Sequence, residues 1–189
     1  MPIELEIKLR VESHEPVRRR LLELGADSQG RRMERNTFLD TPEGSLRKAD
    51  CGLRLRETRK LPDGPLRSIL TWKGPRLPGE MKRRDEREVG VDDPAAALNL
   101  LASLGFQPTL SFEKLRESWR CEGVLVELDT LPHLGAFVEL EGPDEATISR
   151  VRGQIGLENA RIEPDSYISM MWKLPESARI GQLIPLDPP

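Results

Sequence analysis

The chain has 189 residues, of which 37% are hydrophobic and 32% charged, and its formal net charge is −3. That length suits one large domain, and the near balance of charge argues against a generic nucleic-acid surface, which needs a basic surplus on one face. No apolar run approaches the ~18 residues of a membrane span, and Cys51 and Cys121, far apart and outside any C-x-x-C spacing, read as reduced thiols of a cytoplasmic protein.

The N-terminus enters a strand pattern directly, so no leader peptide is expected. In "IELEIKLRV" apolar and charged residues alternate, which predicts a strand over Glu4–Val11. Ser13 is placed to cap a helix running through Leu24 and ended by Gly25. Strands follow at Met33–Asp40, Gly52–Arg59, Leu66–Trp72 and Asp85–Val91, separated by the turn-rich stretches "PEGSLRKADCG", "LPDGP" and "GPRLPGEMKRR". Asp93-Pro94 opens a second helix that Gly105 stops. Strands at Leu110–Arg120, Val124–Leu128 and Ala136–Glu141 come next. Asp144 caps a third helix with Ile148, Val151 and Ile155 on its core face, and "SYISMMWK" reads as a short fourth. The domain spans residues 1–174, and 175–189 form a Pro-rich tail.

Side chains of a strand alternate between faces. Sorting by parity puts Glu4, Glu6, Lys8 and Arg10 together on the first strand. Arg54 with Arg56, Thr71 with Lys73, Glu86 with Glu88, Lys114 with Arg116, Glu127 with Asp129, and Glu139 with Glu141 are each paired in the same way. A wet sheet face explains any one strand, but runs of like charge at i and i+2 repel unless something of opposite sign lies between them. Metal ions relieve clustered acids and phosphates relieve clustered bases. A closed sheet with the charged side inward and helices outside would meet both needs, and a triphosphate with its divalent metal is a ligand of matching charge.

The order of these motifs resembles the CYTH domain, the family of triphosphate tunnel metalloenzymes. "ELEIK" is similar to the family's E-x-E-x-K signature. "NTFLDT" resembles its second strand, "GLRLRE" its paired arginines, "LTWKGP" its lysine strand, "FEKLRESW" its K-x-R strand and "VELDTLPHLGAFVELEG" its acidic hairpin. The resemblance implies an α+β fold: a closed eight-stranded antiparallel β-barrel, a tunnel with a charged interior and helices packed outside. It implies Mg²⁺ or Mn²⁺ held by Glu4, Glu6, Glu139 and Glu141 with Glu127 and Asp129 assisting, and phosphates held by Lys8, Arg54, Arg56, Lys73, Lys114 and Arg116. Lys8, Glu4, Glu6 and Asp129 are the implied catalytic groups. Arg10, Glu86 and Glu88 share the inward parity as direct or supporting charges. Lys82, Arg83 and Arg84 read either as a solvated hairpin end or as an anion-attracting mouth.

The subgroup most resembled is the class IV adenylyl cyclases, which implies ATP conversion to cyclic AMP and pyrophosphate. The alternatives are hydrolysis of inorganic, thiamine or nucleoside triphosphate, and a polyphosphate- or nucleotide-binding module without turnover. Some hydrolases of the family activate water with a lysine–tyrosine pair, and the only tyrosine here, Tyr167, lies far along the chain. The implied partner is a triphosphate small molecule, with no nucleic acid or membrane, acting on a monomer or homodimer.

Overall fold

A computed structural model describes residues 3–77, 82–175 and 183–186. Among these, the strands are β1 (Ile3–Val11), β2 (Asp27–Asp40), β3 (Gly52–Lys60), β4 (Leu66–Lys73), β5 (Lys82–Val91), β6 (Gln107–Cys121), β7 (Val124–Leu131) and β8 (Gly135–Glu141). The helices are α1 (Glu15–Glu23), α2 (Ser45–Lys48), α3 (Pro94–Ser103), α4 (Glu145–Gln154) and α5 (Tyr167–Trp172). The strand order is β1-β5-β4-β3-β2-β6-β7-β8, with every neighbouring pair antiparallel and β8 returning to pair with β1. Each strand is therefore hydrogen-bonded on both sides, which leaves the sheet no long free edge.

Helices cover much of the outer face. Leu5, Ile7, Leu9, Val126, Leu128, Val138 and Leu140 pack against Val17 and Leu21 of α1 and Ile148 and Val151 of α4. Leu39, Leu53 and Leu55 pack against Leu101 of α3. Each such side chain contributes roughly 1.5–3 kcal/mol by leaving water, so the odd and even positions of the strands are locked to their faces.

The expected architecture needs correcting in two respects: the interior is not charged throughout, and the helices do not all pack outside. Leu110 and Phe112 share the parity of Lys114 and Arg116, and Phe137 shares that of Glu139. These residues form an apolar cluster with Leu131, Met170 and Met171 of α5, and Ile184. Helix α5 fills this end of the barrel, so the molecule is not a tunnel lined by charge from mouth to mouth. The physical reason is that α5 has an apolar face to bury, and the apolar inward positions lie together at one end to receive it.

Local details also differ from the sequence reading. Ser13 is not the cap of α1: His14 holds that position, and Ser13 Oγ accepts the Glu15 N–H at 3.2 Å. Asp93, Asp144 and Ser166 cap α3, α4 and α5 through side-chain oxygens that accept from Ala96, Thr147 and Ser169. β2 begins at Asp27 rather than Met33, with a bulge between Ser28 and Gly30 that leaves Gln29 as the extra residue. α2 lies inside a stretch read as a turn, and Asp40 holds it by accepting the N–H groups of Leu46 at 2.9 Å and Arg47 at 3.0 Å. In the tail, Ile184 donates to Ser111 O and accepts from Glu113 N at 2.8 and 3.0 Å. It takes the edge of β6 beyond the point where β7 ends.

Candidate active site

The interior contains a cavity of about 540 Å³. Of the residues singled out in the sequence, Glu6, Lys8, Arg54, Arg56, Lys73, Glu86, Glu88, Lys114, Arg116, Glu127, Glu139 and Glu141 line it. Each reaches the cavity because its strand turns that parity inward, and the registers set them side by side. Lys8 faces Glu139, Glu6 faces Glu141, Glu127 faces Glu139 and Arg116 faces Asp129.

One wall is organised around Arg116. Its guanidinium pairs with Asp129, Glu127 and Glu139. Burial alone would lower its pKa, but these carboxylates, with Glu34, raise it well above the usual value. Asp129 does not line the cavity. It is fully buried, and its oxygens accept from Arg116, from Lys114 at 3.2 Å and from the Tyr167 hydroxyl at 2.8 Å. Lys8 Nζ sits 4.0 Å from the centre of the Tyr167 ring, and Lys114 Nζ 5.1 Å from it. Burial, then Asp129 and Glu139, push the Tyr167 hydroxyl well above its ordinary pKa, so it is a donor rather than a base. Its sequence position gave no hint of this place. The signal was the SYISMMWK amphipathic segment, which had to bury its apolar face somewhere.

β2 brings in three residues that the sequence reading did not name: Arg32 and Asn36, which line the cavity, and between them the fully buried Glu34. Arg32 donates to Glu34 at 2.8 Å, to Ser118 Oγ at 2.6 Å and to Glu127 at 2.7 Å. Glu34 also lies 3.4 Å from Lys114 Nζ and 3.5 Å from Arg56 Nε. Burial opposes its ionisation, but Lys114, Arg56, Arg116 and Arg32 together hold its carboxyl well below the usual range. Continuing the parity rule through "RRMERNTFLD" would have found all three.

The opposite wall carries the less neutralised bases. Lys73 pairs with Glu86, yet burial and then Arg54 lower its pKa. Arg54 has no carboxylate within ion-pair distance among the described residues. Its Nη2 reaches Thr71 Oγ1 at a long 3.5 Å, and its buried Nε has no partner among those residues. Burial and the neighbouring Arg56 push its pKa down to about 9.

The acidic sector has the chemistry of a hard-cation site. Glu6 stands opposite Glu141, and burial, followed by repulsion from Glu127, Glu6 and Glu86, raises the Glu141 carboxyl. Carboxylate oxygens are the donors Mg²⁺ and Mn²⁺ take, so the donor set fits. Among the described residues no three His, Cys, Asp or Glu side chains are gathered as metal ligands. Asp129 is engaged instead as a counter-ion to donors.

Several expected residues lie elsewhere. The backbone of Glu4 belongs to β1 opposite Arg84, but its side chain lies outside the described residues, as do those of Lys82 and Arg83. Arg84 does not project as a free anion trap: it donates to Asp50 Oδ1 at 2.9 Å and to the carbonyls of Asp50 and Gly74. Arg10 shares the inward parity but does not line the cavity. It is 43% exposed, donates to Leu134 O at 3.0 Å and covers the Phe137 ring at 4.6 Å, because the barrel end it reaches is filled by α5.

Residues 2–175 match the model of the CYTH domain family. The chain belongs to this family. An adenylate cyclase of Aeromonas hydrophila is 31% identical over 145 residues, 71% of this chain and 70% of that one. A protein of Methanocaldococcus jannaschii provisionally named an adenylate cyclase is 29% identical over 139 residues, 74% of this chain and 76% of its own. Among solved structures, the PH1819 protein of Pyrococcus horikoshii superposes with a TM-score of 0.77 at 25% identity, covering 90% of this chain and 98% of that one. No described helix of this CYTH protein is long and apolar enough to cross a membrane.

Proposed function

We propose that this protein is a divalent-metal-dependent enzyme that binds a triphosphate in the barrel cavity, and that its reaction is that of a class IV adenylyl cyclase, ATP to cyclic AMP and pyrophosphate. Membership of the CYTH family and likeness to proteins named adenylate cyclases support an enzymatic role on a triphosphate. The observation that carries the reading is Arg54. A buried guanidinium without a carboxylate partner among the described residues, beside Arg56 and Lys73, costs folding energy that an incoming polyanion repays.

In this reading Arg54, Arg56 and Lys73 bind the phosphate chain from one wall while Lys8, Lys114 and Arg116 present charge from the other. Glu34 and Asp129 are not substrate contacts: they fix the rotamers of Lys114, Arg56 and Arg116, so little reorganisation is needed at the moment of reaction. Glu6 and Glu141, with Glu139 and Glu4, would hold Mg²⁺ or Mn²⁺, which when bound supplies charge neutralisation at the phosphates. The ribose 3′-oxygen attacks the α-phosphorus, the bond to the β,γ-pyrophosphate breaks in line, and the hydroxyl proton leaves to water in the cavity. The bases stabilise the charge that develops on the departing pyrophosphate.

The test is product identification. The purified protein is incubated with ATP, thiamine triphosphate and inorganic triphosphate, each with Mg²⁺ or Mn²⁺. Cyclic AMP with pyrophosphate is the expected result. Orthophosphate instead would make the protein a triphosphatase, and saturable binding without product would make it a binding module. Glu139→Gln and Glu4→Gln should abolish metal-dependent turnover in a folded protein; full activity in either removes that residue from the metal site.

A further inference from the structure

The amide of Asn36 is 1% exposed, lines the cavity and has a hydrogen-bond partner among the described residues on only one of its two polar atoms. Its Oδ1 accepts from Arg56 Nε at 3.3 Å. That bond fixes which way the amide points, because the flipped orientation would set an NH₂ against a guanidinium N–H. The Nδ2 group is therefore aimed away from Arg56, and it has no acceptor among the described residues. An unsatisfied buried donor is destabilising, and such groups are uncommon in folded proteins. The same is true of Arg54 Nε, on the neighbouring strand β3. Two buried donors on neighbouring strands of one wall, both lacking an acceptor among the described residues, suit ligand oxygens that carry negative charge.

Resting on the triphosphate reading above, we infer that Asn36 is a substrate-contacting residue that donates Nδ2–H to a phosphoryl oxygen of the bound triphosphate. Its role differs from that of the bases. Each lysine or arginine attracts the anion through charge at several ångströms, whereas a neutral amide rewards only an acceptor in hydrogen-bonding position. Asn36 therefore sets the register of the phosphate chain along the β2–β3 wall. A carboxylate at the same position would keep the acceptor for Arg56 but would offer no donor and would repel the ligand.

The test is titration calorimetry of inorganic triphosphate with Mg²⁺ into the wild-type chain, Asn36→Ala and Asn36→Asp, with thermal melts of all three. Asn36→Ala should weaken binding about tenfold, the scale of one hydrogen bond to a charged group, and Asn36→Asp by more, although it retains the contact to Arg56. To separate direct contact from an effect through Arg56, Asn36→Ala is repeated in an Arg56→Ala background, where the loss should persist. Wild-type affinity in Asn36→Ala, or disappearance of its effect once Arg56 is gone, overturns the inference while leaving the triphosphate reading intact. A wild-type chain that binds no triphosphate overturns both.

Discussion

The hydroxyl of Tyr167 donates to Asp129 Oδ2 across 2.8 Å, joining α5 to the middle of the barrel wall. The same carboxylate accepts from Arg116 and Lys114, so Asp129 neutralises two bases of the barrel while the neutral Tyr167 hydroxyl adds a third donor that holds it in place. Because the phenol pKa is raised, its contribution to stability is fully present below the ordinary phenol value and is lost as pH rises through the folded-state value. The chain has one tyrosine, so ultraviolet absorbance reports it alone. The phenolate band should stay absent past the ordinary phenol titration and appear together with alkaline unfolding. A band that develops at the ordinary value in folded protein would place Tyr167 in solvent. Tyr167→Phe should fold and lose about 1.5–3 kcal/mol, roughly 5 °C in Tm.

Arg116→Met leaves Asp129, Glu127 and Glu139 facing one another without their shared cation. Removing one partner from a buried ionic cluster costs about 3–5 kcal/mol. The loss should be largest at neutral pH. Without Arg116 these carboxylates repel one another, and acid relieves that repulsion, so the variant should regain stability as pH falls toward 5. Denaturant melts at pH 5 and 8 check this; equal losses at both would mean that the carboxylates carry no unrelieved charge.

Much of this site could be read from the alternation of charge on each strand. "IELEIKLRV", "LRLRE" and "FVELE" each carry their inward set at every second residue, and burial of the opposite set against α1, α3 and α4 makes that parity binding. Pairing partners were less accessible. That Glu34 would neutralise Lys114, Arg56 and Arg32 depends on the registers of β2 with β3 and β6, which join residues far apart in sequence. The reach of the pattern was also overestimated. Arg10 keeps the parity of Lys8 but lies past the end of the cavity, where α5 occupies the interior, and nothing local to β1 announces that helix.

Glu141 faces Glu6 and lies near Glu127 and Glu86, and its raised pKa means that stability is highest below the ordinary carboxyl range and falls as pH rises through the folded-state value. Glu141→Gln should remove that fall, giving a protein more stable than the wild type at pH 8 and nearly equal at pH 4. Millimolar Mn²⁺ should raise the wild-type Tm at pH 8 and raise that of Glu141→Gln less. Identical Mn²⁺ shifts in the two proteins would take Glu141 out of the cation site.

Arg54 places function against stability in a single side chain. Its pKa, pushed down to about 9 by burial and Arg56, shows that the folded protein holds this charge at a cost. The sign follows from proton counting: between about 9 and the ordinary guanidinium value the unfolded chain binds the proton more strongly, so stability gained with rising pH belongs to this group. Arg54→Met should therefore raise Tm at pH 7.5 by a few degrees, since an apolar residue of similar volume relieves a buried charge that has no carboxylate partner among the described residues. Its advantage should shrink above pH 9, where the wild-type guanidinium begins to shed its proton. The same variant should bind inorganic triphosphate at least about tenfold more weakly, the loss of one charge-assisted contact. Wild-type binding should itself weaken above pH 9, because the anion must then recruit a proton to Arg54. A less stable Arg54→Met protein with unchanged triphosphate affinity would show that the charge is satisfied within the folded chain and faces no ligand.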